Sequence, residues 1–147
     1  MLRADLELVV REAMNRLFAY DAYLLDGGAS EWSVAHRLAV YLEELLPGWN
    51  IDCEFNRQGV AANPKAIANG ACVRPDIVVH NRGRLEPAHN LLAVELKKQA
   101  STRDQEKARE YTRSPAGERQ FQYRYGLTIA MNGNWSLTWF ENGEVAS

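Results

Sequence analysis

The run Arg74-Pro75-Asp76-Ile77-Val78-Val79-His80, followed by Leu91-Leu92-Ala93-Val94-Glu95-Leu96-Lys97-Lys98, decides how this chain folds. Arg74–His80 reads as a strand with its proline confined to the start, where a missing N–H costs no ladder bond. Leu91–Lys98 reads as a second strand, and residues 81–89 between them are turn-like. Side chains alternate along a strand, so Glu95 and Lys97 share one face and leave Leu92, Val94 and Leu96 as a clean apolar side. Asp76 shares a face with Val78 and His80. A hairpin between the two strands brings Asp76 beside Glu95.

Upstream, Leu6, Val9, Val10, Met14, Leu17 and Phe18 recur at helical spacing, which predicts a helix from Leu6 to about Leu25 that ends at Asp26-Gly27-Gly28. Ser30 can cap a second helix from Glu31 to about Leu46, closed by Pro47-Gly48. Its apolar stripe is Ala35, Leu38, Ala39, Leu42, Leu45 and Leu46, and stepping back along it reaches Glu31 in the first turn. A carboxylate on that face requires a partner. Ile51–Asn56 reads as a strand and residues 57–69 as a polar loop. Downstream, Thr102 to about Thr112 is helical, with Asp104, Lys107, Ala108 and Tyr111 on one face. Tyr125–Met131 is a strand, Asn132-Gly133-Asn134 a hairpin turn, and Trp135–Phe140 the return. The order is α-α-β-β-β-α-β-β, and the strand–helix–strand run from Leu91 to Met131 calls for parallel pairing. The expectation is one α/β domain over 1–147, a mixed sheet flanked by helices. It divides into a helical segment at about 4–25, a core at about 30–131 and a C-terminal hairpin at 125–141.

Composition sets the class. With 46% hydrophobic and 24% charged residues the chain is globular rather than disordered. No apolar run approaches the roughly 20 residues that span a bilayer, so no membrane partner is expected. Met1–Arg11 has no apolar signal region, and Cys53 and Cys72 form no CxxC; both point to a reduced, cytoplasmic protein. The charge of −2 conceals a segregation. Residues 1–56 hold four bases against ten acids, and residues 57–124 hold thirteen against seven. Such a basic middle can form a positive face for a polyanion, unless folding scatters the charges.

Two carboxylates side by side repel unless a cation sits between them. Oxygen donors of this kind suit Mg2+ or Mn2+, which also keep water and bind substrate phosphate. A lysine two positions on can orient an attacking water or stabilise charge on a phosphate. The plainer alternative is a surface salt bridge between Glu95 and Lys97, which leaves Glu31 unexplained.

Arg74-Pro75-Asp76 to His80, then Val94-Glu95-Leu96-Lys97-Lys98, with a glutamate on an upstream helix, resembles the PD-(D/E)XK nuclease superfamily, whose fold is restriction-endonuclease-like. The segments Glu31–Leu42, Pro47-Gly48-Trp49, Asp52–Arg57, Asn90-Leu91-Leu92 and Tyr125-Gly126-Leu127 resemble a group of small stand-alone bacterial members. The resemblance implies an Mg2+- or Mn2+-dependent endonuclease acting on nucleic acid, DNA ahead of RNA. It implies that Asp76 and Glu95 bind the metal with the backbone carbonyl of Leu96, that Lys97 assists the nucleophile, and that Glu31 helps hold a metal or its water. A homodimer with Trp135 and Trp139 at its interface, or a larger complex that supplies targeting, is expected for so small a chain. The rival reading is a non-catalytic nucleic-acid-binding or assembly module that keeps the fold. His80, Arg57, Lys107 and Tyr111 are further candidates for substrate contact, with His80 read first as a packing residue. The four tryptophans are read as core or interface.

Overall fold

The apolar spacing at the N-terminus folds as expected at first. A computed structural model describes residues 1–55, 57–58, 63–64, 73–99 and 101–147. Helix α1, Arg3–Tyr20, buries Leu6, Val10, Ala13, Met14 and Leu17 on one stripe. It does not run on to Leu25. Asp21 leaves helical geometry at φ −119°, and a separate short helix α2, Ala22–Asp26, follows. The reason is tertiary: the Asp21 carboxylate accepts from the Tyr41 hydroxyl and, at 3.3 Å, from Arg37 Nε on the next helix. That next helix, α3, spans Glu31–Leu45, and Ser30 Oγ caps it by accepting from Ser33 N at 3.3 Å.

The strands are β1 Asn50–Cys53, β2 Arg57–Gln58, β3 Asn63–Pro64, β4 Ile77–His80 and β5 Asn90–Lys97. After helix α4, Thr102–Thr112, come β6 Tyr125–Asn132, β7 Asn134–Glu141 and β8 Glu144–Val145. Six of them make one mixed sheet in the order β1-β4-β5-β6-β7-β8, and β2 and β3 pair separately. Only β5 and β6 run parallel, with α4 as their crossover; the other neighbours are antiparallel. The fold is therefore α/β with a mixed six-stranded sheet and helices against it.

Three sequence expectations change. Residues 57–58 and 63–64, read as loop, pair as a small hairpin. Strand β4 is shorter than Arg74–His80, because Arg74, Pro75 and Asp76 lead into it; Asp76 O still accepts from Glu54 N at 3.1 Å. Strand β8 was not foreseen, although Asn142-Gly143, with φ of 51° and 81°, is the tight turn that hairpins favour.

The sheet has two buried faces. Ile77, Val79, Leu92, Val94, Leu96, Leu127 and Ile129 pack with the stripes of α1 and α3. Val78 and Ala93 face the other way, against Tyr111, Phe121 and Tyr123. Trp139 is buried in the first core, Trp135 packs against it, and the Arg11 guanidinium of α1 lies 5.5 Å above the Trp135 ring. The hairpin face expected to join two protomers is thus covered by the chain's own first helix. No described helix is long and apolar enough to cross a membrane.

Candidate active site

The register of β4 on β5 builds the site. Ile77 pairs with Val94, so one step back sets Asp76 opposite Glu95. The Leu96 N–H donates to Asp76 Oδ2 at 2.7 Å and ties that carboxylate to β5. Leu92, Val94 and Leu96 fill the core toward α1 and α3, which turns Glu95 toward α4. There the Tyr111 hydroxyl donates to Glu95 Oε1 at 2.6 Å. Glu95 is only 2% exposed. Lys97, at the open end of β5, places Nζ 3.4 Å from Glu31 Oε2, and both side chains are about one third exposed. A small cavity of about 30 Å³ borders Glu95, Lys97, Asp104, Thr128 and Thr138.

The charges are strongly coupled. Burial, then the neighbouring Asp76, pushes the Glu95 carboxyl up to about 8, against the pull of Tyr111 and Lys107. Burial also raises Asp76, although the Leu96 amide, Lys97 and Lys107 favour its charged form. Burial alone would lower Lys97, but the carboxylates of Glu31, Asp104 and Asp76 outweigh it and its pKa rises. Burial, then Glu95, holds Tyr111 well above the usual phenol range. Without a bound cation, the fold therefore favours the protonated form of Glu95.

This donor set fits a hard divalent cation. A carboxyl whose charged form is penalised by burial and by a neighbouring carboxylate, as Glu95 is by Asp76, is relieved by a positive ion, and Mg2+ is commonly held by one or two carboxylates with water and phosphate completing its shell. Among the described residues, no three His, Cys, Asp or Glu side chains gather around one point. The fit rests on Asp76, Glu95 and a backbone carbonyl such as that of Leu96. Glu31 pairs with Lys97 and also acts through its charge on Asp76.

The other candidates divide. Glu31 is not buried as its stripe suggested; it sits at the rim and finds in Lys97 the partner that was missing in sequence. Tyr111 is wholly buried, so it positions Glu95 and has no surface on which a base could stack. His80 is 1% exposed, with Nε2 2.7 Å from Asp52 Oδ2 and its ring against Phe55, which is a packing role. Lys107 is half-buried on α4 and acts electrostatically on both Asp76 and Glu95. Arg57 begins β2, and its side chain lies outside the described residues. Trp32, read as core or interface, is 70% exposed. Asp104 was missed as a neighbour of Lys97. It is buried, and its amide donates to the Ser101 cap at 3.2 Å, a pairing that the Ser101-x-x-Asp104 spacing signals.

Among the described residues, much of the positive charge of the basic middle is taken up in ion pairs. Arg82 pairs with Asp52, Arg74 with Glu54, Arg109 with Glu106 and Glu144, and Arg113 and Arg119 with Glu110. Among the described residues of this segment Lys98, Arg103, Lys107 and Arg124 carry no ion pair; Arg124 lies over the Tyr125 ring, and Lys107 belongs to the surroundings of Asp76 and Glu95. No family model, no curated protein and no solved structure matches this chain.

Proposed function

We propose that the protein is a metal-dependent nuclease of the PD-(D/E)XK kind, hydrolysing phosphodiester bonds of nucleic acid, DNA ahead of RNA. The observation that carries this reading is the pairing of buried Glu95 with half-buried Asp76 at the start of the adjacent strand, where Asp76 disfavours the Glu95 charge, with the Lys97 ammonium two residues on. The order α3-β1-β4-β5-α4-β6, with one parallel step at β5–β6, supports a restriction-endonuclease-like core. Asp76, Glu95 and the Leu96 carbonyl would hold Mg2+ or Mn2+. When bound, such an ion supplies Lewis-acid charge and makes a coordinated water more acidic.

The chain's own groups do the rest. Glu95 would release its proton to solvent on metal binding, because a cation favours the charged carboxylate. Tyr111 keeps that carboxylate in one orientation. Water attacks the phosphorus in line with the departing oxygen, and Lys97 stabilises the charge that builds on the phosphoryl oxygens. Glu31 steers the Lys97 side chain by pairing with it, and Lys107 adds positive charge on the α4 side. A homodimer or a larger complex would supply the second cut or the targeting, and the cytoplasm is the expected compartment.

The test is a cleavage assay over single- and double-stranded DNA and RNA with magnesium, manganese or EDTA. The parent should cut at least one form with metal, and Lys97→Ala should cut it about 10²-fold more slowly, the scale of one lost electrostatic stabiliser. One observation favours a non-catalytic binding module instead: the Lys97–Glu31 pair and a protonated Glu95 are self-consistent without metal. A parent that cuts nothing, with a Lys97→Ala variant that melts lower, selects that second reading.

A further inference from the structure

Beside the site lies a larger cavity of about 220 Å³, between α2, the start of α3 and the β6–β7 turn. Its walls are apolar, from Phe18, Leu24, Leu25, Val34 and Met131, and its polar groups are Asp26, Glu31, Asn134 and Lys98. Glu31 belongs to this lining and also pairs with Lys97, so one side chain borders both the cavity and the candidate active site. Leu24 also lines a neighbouring open groove that ends on Trp32, whose side chain is 70% exposed. Trp32 thus offers an open aromatic face on a groove beside the cavity, one residue from Glu31.

We propose that the substrate is a single-stranded polynucleotide, one unpaired base of which enters this cavity while a neighbouring base stacks on Trp32. The inference rests on the nuclease reading for the scissile bond. The cavity chemistry selects a base over a phosphate, since Asp26 and Glu31 repel an anion. It selects a base over an acyl chain, since a carboxylate, an amide and an ammonium suit a heterocycle's donors and acceptors. Lys98, at the lip, meets the backbone phosphate that follows. Every base has a face that can stack, so the arrangement is tolerant of sequence. A base held in a duplex reaches the cavity only after unpairing, which costs free energy.

Binding is measured by fluorescence anisotropy on the full chain in EDTA and in calcium, with a single-stranded oligonucleotide and its matching duplex. The single strand should bind more tightly. Trp32→Ala, at an exposed position, should weaken that binding about tenfold, the order expected for one lost stacking partner, and leave the duplex nearly unchanged. Ala22→Phe narrows the cavity from an exposed wall position and should weaken single-strand binding likewise. Equal or tighter duplex binding, or variants that bind the single strand as the parent does, overturns the proposal. So does a hydrophobic dye that fills the cavity and is not displaced by the oligonucleotide. The two readings fail separately. Trp32-dependent binding without cleavage in any metal sinks the nuclease reading alone, and metal-dependent cleavage of duplex without Trp32 dependence sinks this inference alone.

Discussion

Glu95 is the residue on which stability and chemistry pull in opposite directions. Its carboxyl is raised from 4.5 to about 8 in the folded chain. The folded state therefore holds the proton more tightly than the unfolded state does. That contribution to stability is complete below about 4.5 and is lost as pH rises to 8 and beyond. In EDTA, the parent should lose thermal stability between pH 5 and 8, and Glu95→Gln, which has no charge to bury, should lose less. At pH 8 the variant should melt about 3 °C higher, a shift of the size that 1 kcal/mol gives in a domain of 147 residues. Identical pH profiles for the two proteins would mean that Glu95 is already ionised in the fold. Tyr111→Phe removes the donor at 2.6 Å and leaves a buried carboxyl without it. It should cost about 1–3 kcal/mol in denaturant unfolding. Because that donor favours the charged carboxylate, the acid limb of the cleavage profile should move to higher pH. Tyr111 was misread in sequence because helical periodicity names a face without saying what covers it. Glu31 was misread for the complementary reason: its partner Lys97 is 66 residues away.

At the scale of elements, local signals were readable and tertiary ones were not. Helix α4 falls at Thr102–Thr112 as read, because Ser101 caps it and Asp104 follows at the right spacing. The alternation along β5 was equally plain, since a buried Leu92-x-Val94-x-Leu96 row leaves Glu95 on the opposite face. The break after α1 was not readable, because it depends on Arg37 and Tyr41 reaching back to Asp21. Nor could sequence show how closely α4 lies on the sheet. Gly126 on β6 sets that distance: a Cβ there would stand 2.8 Å from the Ala108 carbonyl oxygen and 3.2 Å from Thr112 Cγ2. The nearer contact is backbone, so the helix itself must move. Gly126→Ala should destabilise by about 1–3 kcal/mol, as overpacking does, and should lower cleavage beyond the loss of folded protein by drawing Tyr111 away from Glu95. A variant with parental stability and rate would show that α4 has slack.

Over the whole molecule, the linear charge segregation invited the picture of a broad positive face, and among the described residues folding neutralises much of it in ion pairs. Most arginines of the middle segment are bound to glutamates and aspartates, several of them brought from other elements. What stays near the candidate site is Lys97, Lys98 and Lys107, with Lys97 partly neutralised by Glu31. This arrangement has a measurable signature. A single strand releases about 0.7 counterions per neutralised phosphate, so the logarithm of the binding constant falls against the logarithm of salt with a slope near −0.7 for each contact. Two or three lysines at the site give a slope of about −1.4 to −2.1. A face built from all the middle-segment arginines would give one several times steeper. Lys107→Ala should weaken binding for every sequence and flatten the slope by about 0.7, because it removes one phosphate contact. Lys97→Ala should change the slope less, since its loss also frees Glu31 from its pair. If the parent slope is steep and Lys107→Ala leaves it untouched, the polyanion is gripped elsewhere and the lysines around Asp76 and Glu95 serve only to balance their charge.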